Sequence, residues 1–311
     1  MSKITCLAGG VGAARFLQGL QKVVPSNDIT IIINTGDDIE LHGLYISPDV
    51  DIVTYTLAGI VNQVTGWGIL DDSFNCLKSL RKLGHQIWFN LGDADLATHI
   101  SRSKYLREGL TLSEITMKHA KNFGVEEYLI PMSNDPITTH ILTDKGLIHF
   151  EKYLVLRGAS DPVRGVEFVG ANLSKPAPGV IEALTSADGI IVCPSNPVVS
   201  IGTILSVPGI RSALQHTEAK VAAISPIVGG SPVKGPADKI MTGLGLEVSS
   251  RAVAKLYQDF LDSFIIDNLD AAYLEEIKGL GLRVHICNTI MKNIEDKVQL
   301  AEITLRSIDL V

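Results

Sequence analysis

The sequence predicts an α/β fold: a Rossmann-like, mostly parallel sheet flanked by helices, with a small β-rich subdomain inserted into it. Three observations carry this. Short β-branched apolar runs without alternation recur between helical stretches, the pattern of strands buried on both faces. The first two runs, 4–8 and 29–33, bracket a helix-like segment at 13–23, which makes a parallel βαβ unit. Between residues 126 and 173 the helical signal gives way to short strand-like runs.

Taken in order, run 4–8 ends in the glycine turn Gly9-Gly10-Val11-Gly12, and run 29–33 stops at Asn34-Thr35-Gly36-Asp37-Asp38. Run 87–90 leads to Leu91-Gly92-Asp93, run 189–193 to Pro194-Ser195-Asn196-Pro197, and run 221–224 to Ser225-Pro226. Runs 264–266 and 283–287 complete the predicted parallel strands. Amphipathic spacing predicts helices near 51–63, 73–83, 96–107, 111–122, 178–186, 198–215, 237–245, 250–261, 268–278 and 291–306. Runs 128–131, 139–142, 147–156 and 166–169 read as antiparallel strands. The core is therefore expected at 1–125 and 174–311, with the inserted subdomain at 126–173.

The chain has 311 residues, 46% of them hydrophobic, enough for a sizeable core. It carries 27 Lys and Arg against 34 Asp and Glu, a net charge of −7. That balance argues against nucleic acid or an anionic membrane as partner, since both require a basic surface. It leaves room for a local basic pocket and an anionic small substrate. The cysteines Cys6, Cys76, Cys193 and Cys287 lie far apart, without metal-type spacing, and are expected to be reduced. No apolar run approaches the ~20 residues of a membrane span. The first residues enter a strand with no basic, then apolar, leader pattern, so a cytoplasmic protein is expected.

In an open parallel sheet, ligands bind beyond the carboxyl ends of the strands. Here those ends are rich in Gly, Asp, Asn and Ser. Gly9, Gly10, Val11 and Gly12 open a helix and offer a cradle for phosphate, with Arg15 either meeting that phosphate or lying on the helix surface. The motif is only part of the dinucleotide fingerprint, because Arg15 stands at its last glycine position. That substitution and the lack of hydride-transfer residues weaken a dinucleotide oxidoreductase reading. Asp37 and Asp38 suit a ribose hydroxyl or Mg²⁺, or serve as turn and cap residues. One of Asp49 and Asp51 is explained as a helix cap, which leaves the other as base, hydroxyl acceptor or metal ligand. Trp67 among glycines suits ring stacking or loop anchoring. Asp95 reads as an N-cap, which gives Asp93 the stronger functional claim. Ser195 and Asn196 sit in a proline-rigidified turn, and Gly229, Gly230, Ser231 and Lys234 form a plausible anion-binding loop. No hydrolase or kinase motif is present. The inventory of phosphate cradles, carboxylates and a few cations suits phosphoryl-type transfer.

The runs CLAGGVGAARFLQGL, INTGDDIELHGLYISPDVD, GWGILDDSFN, WFNLGDADLATHI, CPSNPVVSIGTIL and ISPIVGGSPVKGPADK together resemble the 2-phospho-L-lactate transferase family of coenzyme F420 biosynthesis, over nearly the whole chain. The resemblance implies a Mg²⁺-dependent homodimer with a Rossmann-like core. It implies transfer of a 2-phospholactyl group from lactyl-2-diphospho-5′-guanosine to the deazaflavin 7,8-didemethyl-8-hydroxy-5-deazariboflavin, with release of GMP. Related enzymes use an enolpyruvyl donor, and wider relatives with the same glycine opening bind nucleotide sugars as regulators. On this resemblance Asp49 contacts the deazaflavin and Trp88 packs near its ring. Asp37, Asp38, Asp51 and Asp93 become candidates for Mg²⁺ or the attacking hydroxyl. The glycine turn, Ser195, Asn196 and the 229–234 loop become candidates for the guanosine diphosphate.

Overall fold

The computed structural model describes residues 2–310; the outermost residues of the expected core, 1 and 311, lie outside them. β1 (Ile4–Ala8) leads through Gly9 into α1 (Gly10–Leu20), and β2 (Ile29–Ile33) follows. A hairpin of β3 (Ile39–Leu41) and β4 (Leu44–Ile46) precedes α2 (Pro48–Leu57). Then α3 (Asn75–Lys82), α4 (Asp93–Arg107) and α5 (Leu112–Asn122) bring the chain to β5 (Tyr128–Pro131). An antiparallel trio follows, β6 (Thr138–Thr143), β7 (Gly146–His149) and β8 (Val163–Val169), with a π-helical turn at Lys152–Leu156. The second half runs α6 (Val180–Thr185), β9 (Gly189–Val192), α7 (Ile201–Ser206), α8 (Ile210–His216) and β10 (Lys220–Ile224). It continues with the hairpin β11 (Ile227–Val228) and β12 (Ser231–Pro232), then α9 (Ala237–Gly243), α10 (Ser250–Tyr257) and β13 (Ser263–Asp267). It ends with α11 (Leu274–Lys278), β14 (Arg283–Cys287) and α12 (Ile294–Ser307).

Seven strands form one parallel sheet in the order β14-β13-β10-β9-β1-β2-β5. Period-two alternation splits their side chains between two buried layers. Cys6, Ile31, Ile33 and Ile191 face α1 and α12, where Phe16, Leu17, Leu300 and Leu305 meet them. Leu7, Ile32, Val192 and Phe264 face the opposite layer, with Leu184, Ile204 and Val253. Each such fully buried aliphatic or aromatic side chain contributes about 1.5–3 kcal/mol. This two-sided burial is why the strand sequences show continuous apolar runs.

The run 147–156 is a strand only to His149 and continues into the π-helical turn, and further expectations change. Run 87–90 is not a strand: Ile87, Trp88, Phe89 and Leu91 pack instead with Ile39, Ile46, Leu77 and Leu96 in a satellite cluster. The edge position beside β2 belongs to Tyr128–Pro131, which the sequence had grouped with the insertion. The helix expected at 198–215 breaks into α7 and α8 around Val207, Pro208 and Gly209, where Gly209 adopts φ 95°. Helix α2 begins at Pro48, so both Asp49 and Asp51 lie in its first turn.

Gly19 shows how closely α1 and α12 approach. A Cβ there would sit 2.3 Å from the Lys297 carbonyl oxygen. Gly19→Ala is expected to cost about 1–3 kcal/mol in urea unfolding, from overpacking at a backbone that has nowhere to move.

Candidate active site

The chain leaves β1 toward β2 on one side, while β9 leads toward β10 on the other. This is the topological switch point of the sheet, and the crevice between the carboxyl ends of β1 and β9 is where such folds bind ligands. Two of the loops marked from the sequence meet there. The Gly9 N–H donates to Ser195 Oγ at 3.3 Å. A Cβ on Gly9 would lie 2.7 Å from Ser200 Cβ, and one on Gly12 would lie 2.2 Å from the Pro194 carbonyl oxygen. These glycines let two loops and a helix end share one space. A cavity of about 350 Å³ opens beside them, lined by Gly9–Gly12, Arg15, Asp37, Asp49, Glu151, Ser195, Asn196, Lys234 and Lys292 among others.

One end of this cavity is acidic. Asp49, held in the first turn of α2, accepts hydrogen bonds from Asn34 Nδ2 at 2.9 Å and from the Gly10 N–H. Burial outweighs those bonds and pushes its carboxyl up to about 6. Burial, then the neighbouring Asp49, Glu151 and Asp38, raise Asp37 well above the usual carboxylate range. Asp38 accepts from Ser47 Oγ at 2.7 Å, yet burial pushes it up to about 8. Asp37 Oδ1 and Asp38 Oδ2 are buried without a hydrogen-bond partner. Glu151, from the turn after β7, is 6% exposed and is pushed up to about 8 by burial and then by Asp49 and Asp38.

The guanidinium buried near this cluster is Arg102 of α4, 2% exposed. It forms an ion pair with Asp51 Oδ1, reaches Asp51 Oδ2 at 3.1 Å and lies 3.2 Å from His99 Nδ1. His99 Nε2 lies 3.2 Å from Asp95 Oδ1, which also accepts from Tyr55 Oη at 2.8 Å. Ligand atoms of Asp51, Asp95 and His99 lie within 4.8 Å of one another, a spacing suited to a metal. Asp51 already has Arg102 on both oxygens, an ion pair that competes with metal coordination at this group. Asp93, in contrast, is corrected as a site candidate. It lies outside the cavity wall and accepts from Ser73 Oγ and from the Asn75 and Cys76 N–H groups, both at 2.9 Å. Those bonds, Ser73 first, hold it down at about 2. Asp72 does the same for α4, accepting from the Ala94 and Asp95 N–H groups at 2.8 and 3.0 Å. The two aspartates thus cap each other's helices, and Asp95 is not the N-cap.

The same cavity also carries cations. Arg15, Lys234 and Lys292 line it, and none of the three pairs with a carboxylate among the described residues. Lys234 Nζ donates to the Thr65 carbonyl at 2.9 Å; burial, and then Arg15, lower its pKa. Asn196 Oδ1 accepts from the Val198 and Val199 N–H groups at 3.0 and 3.2 Å, which fixes the turn. Gly229, Gly230 and Ser231 do not line the cavity. Gly229 and Gly230 form the tight turn of the β11–β12 hairpin, with φ 56° and 78°, and Ser231 is the first residue of β12.

A second cavity of about 200 Å³ adjoins the first and shares Pro48, Ile52, Trp67 and Phe89 with it. Tyr55, Trp67, Phe74 and Phe89 give it aromatic walls. Trp88 lines neither cavity; it packs edge-on against Phe89, ring centroids 5.6 Å apart, and Phe89 is the one that lines both. Sequence reasoning missed Glu151, Arg102 and Phe89. Glu151 lay in a run read as plain strand, and Arg102 is distant in sequence from the aspartates it serves.

A family model described as 2-phospho-L-lactate transferase CofD matches residues 4–300. The chain is 44% identical over 305 residues to a phosphoenolpyruvate transferase of Streptomyces griseus, covering 96% of each chain. It is 39% identical over 300 residues to a 2-phospho-L-lactate transferase of Methanosarcina mazei, covering 96% of this chain and 98% of that one. Against a 2-phospho-L-lactate transferase of Methanothermobacter thermautotrophicus the identity is 42% over 307 residues, with 99% and 98% covered. Among solved structures, a Bacillus halodurans protein of the UPF0052 family superposes with TM-score 0.65, 18% identity and 98% and 100% coverage, a likeness of fold.

Two outcomes test the electrostatics of the site. Arg102→Met leaves Asp51 buried without its charge partner and should cost about 3–5 kcal/mol in urea unfolding, part of which Asp51→Asn restores. The buried carboxyls ionise more easily in the unfolded chain, near pH 4, than in the folded one. Their contribution to stability is therefore full below about pH 4 and is lost as pH rises through the raised folded values. Without metal, the stability of Asp38→Asn relative to wild type should increase from about pH 4 to about pH 8, read from denaturant midpoints in chelator; a flat difference contradicts a raised Asp38.

Proposed function

This chain belongs to the 2-phospho-L-lactate transferase family, and from that premise we propose how its cavity serves the family's reaction. The reaction moves a 2-phospholactyl group from lactyl-2-diphospho-5′-guanosine to the terminal hydroxyl of the deazaflavin acceptor. The observation that supports this reading is the mixed charge of the switch-point cavity, which is lined both by Arg15, Lys234 and Lys292 and by Asp37, Asp49 and Glu151. An anionic diphosphate donor belongs with the cations and an uncharged hydroxyl acceptor with the carboxyls.

In the transfer, the acceptor oxygen bonds to the phosphorus that carries the lactyl group. The bond from that phosphorus to the bridging oxygen breaks, its electron pair leaves with GMP, and the hydroxyl proton passes to a carboxylate or solvent. Positioning and charge placement carry most of such a step. We assign Asp49 to the acceptor hydroxyl, because the Asn34 and Gly10 hydrogen bonds fix its carboxyl in the cavity wall. Arg15 and Lys234 hold the diphosphate, with the Gly9–Gly12 turn and Ser195 beneath it. Phe89 and Trp67, rather than Trp88, are positioned to pack on the deazaflavin ring.

Mg²⁺ fits the acidic end. Hard oxygen donors are what it takes, and the buried, unpartnered Asp37 Oδ1 and Asp38 Oδ2 are such donors. Asp37 and Asp38 would hold it, and it would supply positive charge against the diphosphate when bound. No helix among the described residues is long and apolar enough to cross a membrane. That the chain works as a homodimer on these small molecules is what the family resemblance supports.

A second donor has its own support: the Streptomyces griseus relative, 44% identical, is named a phosphoenolpyruvate transferase. Supplying both diphospho-guanosine donors in competition, with deazaflavin and Mg²⁺, separates the two. The phospholactyl reading expects GMP release in step with phospholactylated deazaflavin, and preferential use of the enolpyruvyl donor would replace it. Binding without any GMP release would favour a nucleotide-binding regulator. Arg15→Ala is expected to raise the donor KM by roughly 10–100-fold, the loss of a charge-assisted contact, and to leave the acceptor KM unchanged. Asp49→Ala should abolish transfer or acceptor binding while the denaturant midpoint shows a folded protein.

A further inference from the structure

Glu151 comes from the inserted antiparallel unit, not from the parallel sheet that supplies the other site carboxylates. It follows β7 and enters the π-helical turn Lys152–Leu156, a rare backbone form that is frequent at functional sites. Its backbone N–H donates to His149 Nδ1 at 3.2 Å, which ties the residue to the strand end. Its side chain lines the larger cavity, is more than nine-tenths buried, and takes part in no ion pair or side-chain hydrogen bond with the described residues. A buried carboxyl without a partner costs free energy. No ion pair with a lysine or arginine among the described residues offsets that cost, and Asp49 and Asp38 are charged neighbours.

Those neighbours decide what this side chain can meet. A phosphate or carboxylate ligand would add a like charge to an already acidic end. A neutral hydroxyl adds none, and it can donate to a carboxylate or accept from a carboxylic acid. Phe150, Leu154 and Val155 share the same wall and give Glu151 an apolar surround. That combination, one polar anchor in an apolar wall, fits a polyhydroxyl chain joined to a flat ring.

We propose that Glu151 is an acceptor-contact residue, hydrogen-bonded to the hydroxyl chain of the acceptor opposite Asp49. This rests on the transferase reading above. The inserted unit thereby contributes half of the acceptor grip, and the parallel core contributes the other half together with the donor site.

The test uses the full chain with Glu151→Met, which keeps the volume and removes the hydrogen bond, and Glu151→Gln, which keeps a hydrogen-bonding head. Removing an unpaired buried acid in favour of an apolar group does not threaten the fold. Deazaflavin affinity is read from ring fluorescence without donor, GDP affinity by calorimetry, and the half-saturating Mg²⁺ concentration from turnover. Glu151→Met should weaken deazaflavin binding and raise the acceptor KM about tenfold, as one lost hydrogen bond does. Glu151→Gln should recover most of that loss, with GDP affinity and Mg²⁺ half-saturation unchanged in both variants. An unchanged deazaflavin affinity in Glu151→Met, beside an active wild type, overturns the proposal alone. So does a shift in Mg²⁺ half-saturation, which would make Glu151 a metal ligand. A wild type that neither binds deazaflavin nor releases GMP overturns the transferase reading itself.

Discussion

Four carboxyl groups, Asp37, Asp38, Asp49 and Glu151, are buried around one end of a cavity, and the buried guanidinium nearby, Arg102, is committed to Asp51. Desolvation and mutual repulsion both disfavour their ionisation. Such a cluster survives only because the rest of the fold is stable enough to hold it. The seven-stranded sheet, buried on both faces, supplies that stability. Asn34, Ser47 and the Gly10 N–H orient the carboxyls but do not neutralise them. No ion pair among the described residues compensates the burial of these four carboxyls.

Arg15, Lys234 and Lys292 line the same cavity and form no ion pair with its acids among the described residues. The overall charge of −7 therefore understates the order in the molecule. Some of the acid excess is concentrated where it acts, while Asp72 and Asp93 serve the ends of α3 and α4.

Much of this was legible in the sequence, because parallel strands buried on both faces announce themselves as continuous apolar runs. Ile4–Ala8 and Ile29–Ile33 were clear for that reason, and the polar loops after them marked the switch-point crevice. Run 87–90 misled because apolar residues pack equally well in a satellite cluster without strand pairing. Asp93 and Asp51 looked like free carboxylates because their partners, Ser73 with the N-terminus of α3 and Arg102, come from other segments. Gly229 and Gly230 looked like an anion cradle, yet a two-residue hairpin makes the same demand for positive φ. Glu151 had no local signature, since its importance arises from the insertion folding over a distant sheet edge.

We propose that Mg²⁺ held by Asp37 and Asp38 lets the carboxyls and the donor diphosphate share one cavity, and calorimetry of Mg²⁺ binding tests this most directly. Mg²⁺ is titrated into the protein with and without saturating GDP, after subtraction of Mg²⁺–GDP association in buffer. The account predicts at least about tenfold tighter Mg²⁺ binding with GDP present, and by linkage the same gain for GDP when Mg²⁺ is present. Equal Mg²⁺ affinity in the two titrations would contradict it.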